Sequence, residues 1–119
     1  MVIQNKKAIG NEKEQNALEY LQNKGLQFIT KNYQCPFGEI DLIMLDADEL
    51  VFIEVRSRKH TAYGTAIESV DYFKQQKLLK TATHYLQKKH LTDTINCRFD
   101  VVGFSNNQID WIKDAFSYE

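Results

Sequence analysis

Three acids and an arginine stand where apolar strand residues are expected. In "GEIDLIMLDADELVFIEVRSR", residues 38–58, Glu39 and Asp41 interrupt one apolar run, Glu54 interrupts the next, and Arg56 follows two positions on. Burying an ionised carboxylate costs several kcal/mol unless it is paired, hydrogen-bonded or held on a metal. Side chains alternate along a strand, so Glu39, Asp41 and Ile43 are expected on one face and Ile40 and Leu42 on the other. In the second run Phe52, Glu54 and Arg56 share a face. A hairpin that brings Asp41 and Glu54 to the same side would gather two hard oxygen ligands and a fixed cation. Such a set suits Mg²⁺ or Mn²⁺, which could polarise a phosphodiester. The competing reading is an ion pair of Arg56 with Glu54 or Asp41 and no chemistry at all.

Two further residues have double readings. Glu14 precedes Ala17, Leu18 and Leu21 by three, four and seven, which puts it on the inward stripe of a helix. It also fits the third position of a capping box opened by Asn11. Lys74 steps by four between Val70 and Leu78, so its stem lies in an apolar stripe while its head either snorkels to water or reaches a phosphate.

The chain carries a net charge of −1, yet residues 55–98 hold nine Lys/Arg against three Asp/Glu. Arg-Ser-Arg-Lys-His at 56–60 and Lys74, Lys77, Lys80, Lys88 and Lys89 supply most of that excess. A polyanion partner is permitted, and a solvated basic face is the alternative. Tyr63, Tyr72 and Tyr85 lie nearby at spacings typical of core or rim residues. Arg98 and Asp100 share a strand face and are expected to pair. His60, His84 and His90 lack ligand spacing, as do Cys35 and Cys97, which read as reduced thiols of a cytoplasmic protein. No apolar run approaches the roughly 18 residues of a membrane span, and no signal-peptide pattern opens the chain.

The elements that must position these residues follow from periodicity. Residues 11–24 form an amphipathic helix stopped by Gly25. "LQFITKNYQ" is a first strand, and "GEIDLIML" and "ELVFIEVRS" form a hairpin across Asp46, Ala47 and Asp48. Thr65-Ala66-Ile67-Glu68 fits a capping box opening a long helix to about Lys89. "CRFDVVGF" and "QIDWIK", joined through Ser105, Asn106 and Asn107, are the last strands. The expectation is one α/β domain over residues 1–119, a mixed sheet with flanking helices in the order α-β-β-β-α-β-β.

Gly10-x-x-x-Glu14-x-x-Ala17, "GEIDLI", "VFIEVRSR", Tyr63-Gly64, Lys74 and "CRFDVV" together resemble the YraN-like family of small bacterial proteins. That family is similar to the restriction-endonuclease-like superfamily, with its PD-(D/E)xK active site, and to archaeal Holliday-junction resolvases. The resemblance implies a restriction-endonuclease-like core and a Mg²⁺- or Mn²⁺-dependent nuclease acting on DNA, branched or junction DNA included. Asp41 would match the motif's metal-binding Asp and Glu54 its (D/E), with the Val55 carbonyl as a further ligand. Glu14 would match the acid that resolvase-like members place on the first helix. Arg56 stands where the catalytic Lys is usual, and Ile40 replaces the motif's Pro. Arg stays protonated in proteins, so its role is confined to orienting phosphate and stabilising developing charge. Arg58, Lys59, Lys74 and Lys77 would contact nucleic acid, and a homodimer is compatible with this reading. The alternative is a nucleic-acid-binding module that keeps the fold without efficient cleavage; a third reading is a protein-interaction domain.

Overall fold

The computed structural model describes residues 6–58, 70–105 and 108–118. Helix α1 spans Lys6–Asn23, strands β1, β2 and β3 span Gln27–Cys35, Gly38–Asp46 and Glu49–Arg58, helix α2 spans Tyr72–Lys88, and strands β4 and β5 span Cys97–Ser105 and Gln108–Phe116. The expected element order holds. The strands lie side by side in chain order, β1-β2-β3-β4-β5. All neighbours are antiparallel except β3 and β4, which run parallel because α2 carries the chain back between them.

Each helix covers one face. Ala17, Leu18 and Leu21 of α1 pack with Leu42, Met44, Val51, Ile53, Val102 and Phe104. Leu78, Leu79, Ala82 and Tyr85 of α2 pack with Ile43, Leu50, Phe52, Phe99 and Val101. Strand β3 is therefore covered on both sides, which accounts for the unbroken apolar run Leu50–Ile53. Helix α1 ends in a Schellman motif. Leu26 N–H donates to the Leu21 carbonyl at 3.1 Å and Gly25 N–H to Gln22 at 3.0 Å, with Gly25 at φ +102°.

Three local expectations are corrected. Helix α1 begins at Lys6, so Asn11 lies inside it and Glu14 is not a capping partner. Helix α2 begins at Tyr72 with Asp71 as its cap, whose Oδ1 accepts the Lys74 N–H at 2.9 Å; the proposed box at Thr65–Glu68 lies outside the described residues. The strict alternation along β2 also fails: Ile40 packs with Ile43 under α2, whereas Leu42 packs under α1. The break falls at Asp41, beside Asn32 of β1, whose left-handed φ of 54° turns the adjacent strand locally.

Candidate functional site

The sheet splits where the acids lie. Strands β2 and β3 pair from Asp46–Glu49 to Leu42–Ile53 and then part. Beyond that point β2 stays with β1, through Ile40–Tyr33 and Glu39–Gln34. Strand β3 stays with β4, through Glu54–Val101, Val55–Val102 and Arg56–Gly103. The half-buried Asp41 carboxylate occupies the mouth of this split: its Oδ2 accepts the Val55 N–H at 2.8 Å, taking the place of a ladder bond. The Val55 backbone thus enters the site through its N–H.

Glu54 is only 4% exposed, and its Oε2 lies 3.2 Å from Lys74 Nζ. That approach is an ion pair without hydrogen-bond alignment, so Oε2 accepts no hydrogen bond among the described residues. Lys74 reaches Glu54 because the Asp71 cap fixes the first turn of α2 against the end of β3. The expected stem-in-stripe placement holds, and the head meets a carboxylate.

From the other face, α1 brings Glu14 beside Asp41. Asn32, in the amide orientation that satisfies both acids, donates to Glu14 Oε1 at 2.8 Å and to Glu39 Oε1 at 2.9 Å. Glu14, Glu39, Asp41 and Glu54 thereby gather around one split, with one carboxamide and one ammonium among them. Burial and the neighbouring Glu54 push Asp41 up to about 9. Burial first, then the charge of Glu39, raises Glu14 above the usual carboxylate range. Two adjacent acids that resist joint ionisation are a place where a cation is favourable.

Asn32 is the functional candidate that sequence reading missed. Asn is uncommon inside strands and tolerates the left-handed conformation, so "TKNYQ" held a usable signal. Arg56 is half-buried on β3, two residues from Glu54 and beside Gly103, which offers no side chain to crowd it. Lys77 is exposed on α2. Arg58 ends β3, and Lys59, like Tyr63 and Gly64, lies outside the described residues. Arg98 and Asp100 pair as expected, at 3.0 Å, far from the split in purpose: Arg98 also binds Asp46 and Glu49.

The donor chemistry fits a hard divalent cation. Two carboxylates and a carbonyl are enough for Mg²⁺, which keeps several of its own waters. Among the described residues no three His, Cys, Asp or Glu side chains converge as a ready-made metal cage, so any ion here leans on backbone, water or substrate oxygen. The buried Glu54 Oε2, paired with the Lys74 ammonium, is the oxygen that such an ion would share or take over.

A five-stranded mixed sheet in this order, flanked by two helices and split at an acidic pair, is compatible with the restriction-endonuclease-like fold. Residues 13–104 match the model of the Uncharacterised protein family UPF0102, and the chain belongs to that family, the YraN-like proteins. It is 52% identical over 112 residues to the UPF0102 protein of Coxiella burnetii strain RSA 331 / Henzerling II, covering 93% of each chain. The Pseudomonas putida KT2440 relative is 46% identical over 112 residues, covering 90% of each. That of Alkalilimnicola ehrlichii is 44% identical over 108 residues, covering 91% of this chain and 86% of the relative. No described helix is long and apolar enough to cross a membrane.

Proposed function

We propose that the chain is a Mg²⁺- or Mn²⁺-dependent nuclease hydrolysing phosphodiester bonds of DNA. The observation that carries this reading is the split between β2 and β3, where the Asp41 carboxylate lies beside the buried Glu54, whose Oε2 is paired with Lys74 at 3.2 Å. Asp41, Glu54 and the Val55 carbonyl would hold the ion. When bound, it would polarise the scissile phosphate as a Lewis acid.

The remaining work falls to the chain's own groups. Lys74 neutralises Glu54 now and can pass to a phosphate oxygen without leaving the first turn of α2. Arg56, permanently cationic, stabilises the charge that builds on the phosphate oxygens; it cannot take a proton. Glu14, beside Asp41, would supply a carboxylate for a second ion. Lys77, exposed on α2, would add phosphate contact, and Arg58 and Lys59 are the further candidates from the sequence.

One observation favours the rival reading, a nucleic-acid-binding module with little cleavage: Lys74 already occupies the carboxylate that an ion would need. Incubating the protein with Mg²⁺ or Mn²⁺ and single-stranded, duplex or four-way-junction DNA separates the two. Cleavage abolished by Asp41→Asn supports the nuclease. Arg56→Ala should also abolish cleavage while sparing Mn²⁺ binding, and Arg56→Lys should retain it. Binding without cleavage of any substrate gives the module, and equal cleavage by all variants removes these residues from the site.

A further inference from the structure

A second concavity, of about 560 Å³, lies along α2, away from the split. Its size is within the range of about 300–1,000 Å³ usual for small-ligand sites. Four of its nine lining residues carry rings: Phe37 from the β1–β2 turn, Tyr72 and His84 from α2, and Tyr118 after β5, with Gln76 and Lys80 among the rest. Phe37, Tyr72 and Tyr118 are 51%, 61% and 45% exposed, so their ring faces are available to a ligand.

Three of these rings are held in advance. His84 Nδ1 lies 2.6 Å from the Tyr33 hydroxyl, and its ring meets Phe37 edge-on at 6.4 Å. The turn that carries Phe37 is pressed onto α2 at Gly38, where an added Cβ would come within 3.3 Å of Thr81 Oγ1. The Tyr118 hydroxyl donates to the Leu79 carbonyl at 3.1 Å and lies 3.0 Å from Thr83 Oγ1. Helix α2 contributes Lys74, Lys77, Lys80 and Lys88 and not a single acid. Exposed π-faces beside a row of ammonium groups call for a ligand that is flat, aromatic and anionic.

We infer that this groove binds unpaired nucleotides, with bases stacked on Phe37, Tyr72 and Tyr118 and phosphates on Lys77 and Lys80. The inference rests on the nucleic-acid reading above and adds that single-stranded DNA is the preferred form. Lys74 and Lys80 are about 9 Å apart along the helix at 1.5 Å per residue. A strand of about three stacked nucleotides covers that length of helix.

The test is fluorescence anisotropy in chelator, with a labelled oligothymidylate of about eight nucleotides and a duplex of matching length. Phe37→Ala and Tyr72→Ala replace exposed side chains, and circular dichroism verifies their fold. Each should weaken single-strand binding about 5- to 100-fold while leaving duplex binding within about twofold. Wild-type protein that binds both probes, with variants that match it on single strands, overturns the groove and leaves the proposed function standing. Wild type that binds duplex alone has the same meaning. Wild type that binds neither probe overturns the groove, and if it also fails to bind a four-way junction the nucleic-acid reading falls with it.

Discussion

Asp41 retains a proton in the folded chain that it gives up when unfolded, because burial and Glu54 push it up to about 9 while a free Asp titrates near 3.9. Between those values the native state binds more protons than the unfolded one, so stability falls as pH rises. In chelator, urea midpoints should therefore decline from pH 5 to pH 8, with a slope below about 1.4 kcal/mol per pH unit. Asp41→Asn should flatten that slope, and saturating Mn²⁺ should flatten it too, by displacing the proton. Unchanged midpoints across the range would show that Asp41 is ionised in the native protein. Calorimetry with Mn²⁺ supplies the companion measurement: binding should be lost in Asp41→Asn and in Glu54→Gln.

At the level of the element, the C-terminus of α2 invites a stabilising change. His90 N–H donates to Gln87 at 3.2 Å and Leu91 N–H to Leu86 at 2.8 Å, which closes a Schellman motif with His90 at φ 57°. A non-glycine residue there costs about 1–2 kcal/mol, and glycine gives back part of that in chain entropy. His90→Gly should thus raise stability by about 0.5–1 kcal/mol, read as a rise in melting temperature. The helices and strands were legible because their apolar spacing is strong: Ala17, Leu18 and Leu21 form one helical stripe, and "ELVFIEVRS", rich in β-branched residues and following a turn, reads as the second strand of a hairpin. Gly25 as a stop was equally legible. What escaped was set by contacts between elements. Asp71 caps α2 with the same side-chain chemistry that Thr65 offered, and sequence alone does not choose between them. The break at Asp41 depends on Asn32 in another strand, and the Lys74–Glu54 pair depends on where the crossover lands. Asp41 and Glu54 themselves stood out because acids inside apolar runs need a partner.

Across the whole molecule, one arginine ties the sheet together. Arg98 in β4 binds Asp46 and Glu49 at the β2–β3 turn, at 2.9 and 2.8 Å, and Asp100 in its own strand. Asp100, fully buried, also accepts from Trp111 Nε1 and from the Asp114 N–H of β5, each at 2.9 Å. Asp100→Ala leaves the Trp111 and Asp114 donors without their acceptor while Arg98 keeps Asp46 and Glu49, and should cost about 2–3 kcal/mol. That is a sizeable share of the roughly 5–15 kcal/mol typical of a domain, so denaturant titration should show a clearly lowered midpoint. Charge is distributed unevenly over this frame, with the lysines of α2 set against an acidic remainder. If those lysines hold phosphates, Lys77→Ala should reduce the log–log salt dependence of DNA affinity by about 0.7–0.9. An unaltered slope would move the phosphate path off α2.

The parallel pairing of β3 with β4 has an electrostatic consequence. A crossover helix must start near the end of the strand it leaves, so the amino end of α2 comes to rest beside Glu54, as the Lys74 contact records. Peptide dipoles summed along its 17 residues place roughly half a positive charge at that end. The connection that closes the sheet therefore also biases the local potential toward anions. Substitutions of individual lysines would leave that bias in place, because it belongs to the backbone.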